Sequence, residues 1–185
     1  RALNFADLPQ PEGPSRNWNR KELNDLMDDE LMKPRDLEVG RRMYEAALCQ
    51  ACHVMGGVGG TVGPDLSQIG TRASKGDILM AINLPSNTIS DQYAAALLTM
   101  NDGKTIIGRV IGEDDEAVTL NQNPYDPDQR IRVLKADIAK REVSPVSIMP
   151  PRLLNRLNEE EVNDIMAFLL SGGDPEHACY TNERG

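Results

Sequence analysis

Apolar and polar positions follow three rhythms along this chain. Over residues 18–32 a helical period sets Leu23, Leu26, Met27 and Leu31 on one side and acids on the other, and Pro34 ends it. Asp36 is placed to cap a second helix running to about Ala47, in which Gly40 and Tyr44 share a face. Ser74-Lys75-Gly76-Asp77 has the form of a capping box with Asp in place of Glu. It opens a short helix through Ile78, Leu79, Ala81 and Ile82 that stops before Pro85. Residues 91–144 change to β patterning, with strands expected at 93–100, 105–111, 117–121, 130–134 and 140–143, and Asn101-Asp102-Gly103 as a hairpin turn. The helical period returns after Asn158, where Val162, Ile165, Met166 and Leu169 form a stripe that Gly172-Gly173 stops. Residues 1–20, with Pro9, Pro11 and Pro14, read as a linker or an arm on the surface.

Composition narrows the function. A formal net charge of −9 over 185 residues, with no basic stripe, argues against a nucleic-acid partner and for basic or cationic ones. Phe, Tyr and Trp make up only 4% of residues, a poverty easier to understand if a large flat cofactor fills part of the core. Three cysteines are too few for a disulfide scaffold. No apolar run approaches the ~20 residues of a membrane span. No signal peptide starts at Arg1, so the sequence reads as a mature chain or an excised domain.

The stretch that carries chemistry is Cys49-Gln50-Ala51-Cys52-His53. Two cysteines at this spacing with a histidine directly after form the attachment pattern of a c-type haem. Each thiol adds across one porphyrin vinyl group, and His53 reaches the iron as proximal ligand. Three other readings compete. A thioredoxin-like pair needs a strand before the first cysteine, and none is visible before Cys49. A structural zinc site could combine Cys49 and Cys52 with His177 and Cys179, a second pair of unusually tight spacing. The last is two buried cysteines beside a chance histidine.

Downstream, a glycine-rich loop leads to Gly63-Pro64-Asp65-Leu66, and Ser147-Ile148-Met149-Pro150-Pro151 precedes the final helix. This order resembles class I cytochromes c. The resemblance implies that the Pro64 carbonyl accepts a hydrogen bond from the His53 imidazole and that Leu66 lines the ring. It also implies that Ile165 and Phe168 cross Gly40 and Tyr44. Arg72 is a candidate for pairing with a haem propionate, or a solvated surface arginine. Met149 is the best sixth ligand of iron, and Met100 the second choice. Met27, Met32, Met43, Met80 and Met166 sit in helical patterns suited to a core, and Met55 is too close to His53 in sequence to reach the opposite face.

The span 18–180 is also similar to the monohaem haem-binding domains of planctomycetes and verrucomicrobia. The shared features are Gly40-Arg41-x-x-Tyr44, the haem motif, Gly63-Pro64-Asp65-Leu66, Asp91-Gln92-Tyr93, Ser144 to Pro150, and Ser171 to Pro175. The fold expected is mainly α and cytochrome c-like with an inserted small antiparallel β-barrel of Sm-like type, α+β overall. Its parts are an N-terminal arm and helix (1–34), a cytochrome domain in two pieces (35–90 and 145–175), the barrel (91–144) and a tail (176–185).

The function expected is single-electron transfer by one covalently bound haem c, with His53 and Met149 as metal ligands. The resemblance implies a redox partner protein or a fused dehydrogenase as the electron source. Haem c attachment implies a periplasmic or other extracytoplasmic setting. A haem-based ligand sensor or peroxidase-like enzyme with a labile sixth ligand stands as an alternative, as does an interaction module stapled by haem.

Overall fold

A computed structural model describes residues 4–26 and 34–180. The chain divides into two compact units. One is Pro85–Pro150; the other is Asn4–Leu84 with the described residues from Pro151 onward.

The split unit carries six helices among the described residues: α1 (Arg20–Asp25), α2 (Leu37–Ala46), α3 (Cys49–Cys52), α4 (Ile69–Arg72), α5 (Lys75–Asn83) and α6 (Glu159–Ser171). Side-chain caps set where the longer ones begin. The Asp36 carboxylate accepts from the amides of Glu38 and Val39, and capping boxes form at Asn19–Glu22, Ser74–Asp77 and Asn158–Glu161. Gly172, at φ 66, ends α6 in the left-handed conformation that a glycine adopts without a steric penalty. The expected first helix is observed as α1; Met27, Leu31 and Met32 lie outside the described residues.

The core of this unit forms where α6 crosses α2. Val162, Ile165, Met166 and Leu169 are essentially inaccessible, and so are Tyr44, Leu23 and Leu79. Burial of each such side chain contributes about 1.5–3 kcal/mol as an upper estimate. Close approach depends on Gly40: a methyl there would stand 2.7 Å from the Asp164 carbonyl oxygen and 3.0 Å from the Phe168 Cβ. Phe168 also meets Tyr44, with ring centroids 5.3 Å apart. The arm ahead of α1 is hydrogen-bonded to the stretch that opens α6.

The continuous unit is an antiparallel sheet of five strands: β3 (Ala96–Met100), β4 (Thr105–Glu113), β5 (Ala117–Asn121), β6 (Ile131–Leu134) and β7 (Ile138–Val143), in the order β6-β5-β4-β3-β7. Two short strands of the other unit, β1 (Val54–Met55) and β2 (Val58–Gly59), pair as a separate hairpin. Ala96, Leu98, Val118, Leu120 and Val133 form the sheet's core. A register shift between Val110 and Gly112 bends β4 where it meets β5. Exit and entry of the unit are tied together, since the Ser144 amide donates to the Ala95 carbonyl at 2.8 Å and the Ser147 amide to Ser86 Oγ at 3.1 Å.

These observations correct the expected fold class. The architecture is α+β, not a mainly α cytochrome c-like fold, and no closed barrel is found among the described residues. β6 and β7 stand at opposite edges of the ladder, joined only by the 3-10 turn Lys135–Asp137. Alternation along a sequence locates strands, but closure depends on tilt and stagger between them, which alternation does not encode. The stretch after His53, expected as a flexible loop, holds the β1–β2 hairpin, and the four-residue α4 precedes α5. No helix among the described residues is long and apolar enough to cross a membrane.

Candidate functional site

α2 delivers the chain to Leu48, whose φ of 67° turns it sharply into α3. α3 is the single turn Cys49–Cys52, so its two cysteines lie three residues apart on one side of a helical turn. None of the three cysteines is in a disulfide. Cys49 is buried, and burial followed by the nearby Cys52 pushes its thiol up to about 12. Burial alone pushes Cys52 up to about 11. Both thiols are therefore protonated and poor nucleophiles near neutrality, the reverse of an activated thioredoxin-like pair. No strand precedes them either, because α2 does.

His53 closes α3 with its amide on the Cys49 carbonyl, 2.9 Å away. The residue is 9% exposed, and burial lowers its pKa against an opposing bond to Pro64. Nδ1 lies 2.8 Å from the Pro64 carbonyl oxygen. A carbonyl only accepts, so the proton sits on Nδ1 and the lone pair is left on Nε2. A ligand imidazole requires that tautomer when its other nitrogen donates to a backbone carbonyl.

The loop after the hairpin is pressed against this turn. The Gly60 amide donates to the Gln50 carbonyl at 2.9 Å, and the Gly63 amide to the Cys52 carbonyl at 2.7 Å. A methyl group on Gly63 would overlap the imidazole of His53, and one on Gly60 would overlap the carbonyl of Ala51. Behind the turn, the Tyr44 hydroxyl donates to the His53 carbonyl at 3.3 Å. Burial leads the several effects that raise the pKa of that phenol, so it stays a donor. The Tyr44, Gly60 and Gly63 contacts were not anticipated from the sequence, although the density of glycines around the motif was a signal of close backbone approach.

The structure thus gathers Cys49, Cys52, His53 and Pro64 at one turn. Leu66 is half-buried nearby in the chain, with its amide on the Val54 carbonyl at 2.8 Å. Arg72 is exposed and turns its guanidinium back onto the carbonyls of Gln68 and Asp65, both at 3.3 Å. Met149 belongs to the other unit, half-buried, with its amide on Ser147 Oγ at 3.1 Å. Met100 packs against the sheet core, while Met43 and Met166 are buried in the split unit.

The zinc reading gains no support. Among the described residues no three of His, Cys, Asp and Glu gather as a metal-binding group, and all four proposed zinc ligands are described. His177 and Cys179 pair with each other instead, Nδ1 to Sγ at 3.1 Å. For a covalently held haem the donor set fits: two protonated thiols one turn apart, and an imidazole whose Nε2 is left for iron by the Pro64 bond. In comparison with known proteins, the sequence matches no family model and no curated protein.

Proposed function

We propose that this chain carries single electrons on one c-type haem held by Cys49 and Cys52, with His53 Nε2 and Met149 as the iron ligands. The observation that carries the reading is the His53 Nδ1–Pro64 carbonyl contact at 2.8 Å, directly after the helical turn that holds Cys49 and Cys52. When bound, the haem supplies a reversible one-electron couple, and a thioether ligand favours the reduced iron. The protein's own residues do the rest. Pro64 fixes the tautomer of His53, Gly63 lets the loop lie flat against the ring, and Tyr44 holds the carbonyl behind it.

His53 and Met149 would together hold the iron and leave it no position for substrate, so the role we propose is transfer, not catalysis. Covalent haem attachment would go with a periplasmic or other extracytoplasmic setting. The net charge of −9 favours a redox partner, or a fused dehydrogenase domain, with a basic docking patch. A pyridine haemochrome spectrum and an intact mass of the protein from a host with the haem-attachment machinery test this. The expected result is one haem per chain, lost on Cys49→Ala/Cys52→Ala; a colourless chain of bare polypeptide mass overturns it. Rapid binding of carbon monoxide by the reduced protein would instead favour a ligand sensor.

A further inference from the structure

We infer that the N-terminal arm is a clamp on the foot of the segment that carries Met149, with Trp18 as its positioning residue; this rests on the haem reading above. Residues 4–19, which composition marks as linker-like, are bonded to one short stretch. The Glu12 amide donates to Glu161 Oε1 at 2.5 Å, and Asn158 Nδ2 donates to the Gly13 carbonyl at 2.9 Å. The Arg16 amide donates to the Asn155 carbonyl at 3.0 Å, and the Trp18 amide to Asn155 Oδ1 at 3.2 Å. The Trp18 indole Nε1 is shared between the carbonyls of Leu154 and Leu157, at 3.1 and 3.2 Å. Trp18 is 5% exposed, with the Arg16 guanidinium 4.2 Å above its ring.

Every one of these partners lies in 154–161, directly after Met149-Pro150-Pro151-Arg152. Two prolines leave little freedom between Met149 and the clamped 3-10 turn Leu153–Arg156. The same turn is fixed on a second side, because Arg156 Nη1 donates to the Ala46 carbonyl at 2.9 Å, at the end of α2 that feeds Cys49. The arm therefore limits the movement of the chain that brings the thioether, and the anchor it uses also touches the helix that brings the thiols.

The test compares the haem-loaded full chain with Trp18→Phe, which keeps an aromatic ring but removes the indole donor, and with Asn155→Ala. Amide exchange is the first readout. Protection of Met149 and of residues 153–158 is expected to fall about tenfold, the scale set by losing the shared indole donor, while Met43 and Tyr44 in α2 keep theirs. The near-infrared thioether-to-iron band is expected to weaken, and carbon monoxide to bind the reduced variants about tenfold faster. Unchanged exchange over 149–158, or an equal loss across α2, overturns the clamp. If wild type holds covalent haem but lacks the thioether band, the Met149 assignment fails, and the exchange data alone decide the clamp.

Discussion

The Tyr44 hydroxyl donates to the backbone carbonyl of His53, 3.3 Å away, from inside the contact between α2 and α6. A single side chain thus joins the crossing of the two helices to the turn of Cys49, Cys52 and His53. Tyr44 packs on Phe168 through its ring and reaches the turn through its oxygen. Tyr44→Phe separates the two roles. It should leave the helix crossing intact and cost about 1 kcal/mol in urea unfolding, the worth of one neutral hydrogen bond, with the buried carbonyl left short of a donor.

Gly40→Ala attacks the crossing one turn earlier on the same helix. The added methyl meets a backbone carbonyl at 2.7 Å, an atom that moves only if the helix moves. Overpacking of this kind costs about 1–3 kcal/mol, and the loss should appear as a lower urea midpoint with an unchanged slope.

Gly63→Ala acts on the site itself. A methyl there displaces the His53 imidazole, and with it the Nδ1–Pro64 bond. Covalent haem yield should fall severalfold relative to wild type in the same host, read from the haemochrome absorbance per chain. A yield equal to wild type would mean that the ring is not held where it is needed.

The buried thiols make an alkaline prediction with a definite sign. Cys49 and Cys52 ionise near 12 and 11 in the folded chain against an ordinary value of 9.0. The native state therefore holds these protons more tightly than the unfolded one. Stability is complete below about pH 9 and is lost as pH rises through the folded values. Thioether formation to the proposed haem would remove both ionisations. The haem-free chain should thus lose stability above pH 9, and the haem-loaded chain should not lose that share, in parallel denaturation series.

Arg152 adopts φ 62° at an exposed position just before the 3-10 turn Leu153–Arg156. A left-handed non-glycine residue is disfavoured by about 1–2 kcal/mol. Arg152→Gly should stabilise the chain by roughly 0.5–1 kcal/mol once glycine's extra unfolded-state freedom is subtracted, measured as a raised thermal midpoint.

Local signals carried much of this structure. Asp36, Ser74 and Asn158 mark helix starts because a cap is decided within four residues, and Asn101-Asp102-Gly103 marks a hairpin for the same reason. The meeting of Cys49, Cys52 and His53 at one turn follows from their spacing, and the His53 Nδ1–Pro64 contact is the one expected bond that the fold brings together from a distance. What was not legible depends on pairings far apart in sequence. The open sheet, the seat of Trp18 against Leu154 and Leu157, and the Tyr44 bond each depend on how distant surfaces meet. The pattern of Pro9, Pro11 and Pro14 describes an arm's stiffness and says nothing of what it touches.

The sheet unit enters near Ser86 and leaves near Ser147, and a hydrogen bond joins these two residues. A stretch of protein whose two ends meet in space corresponds to a stretch of gene that can be gained or lost as a cassette. One recombination event could remove it, and a few residues would suffice to rejoin the reading frame of the host.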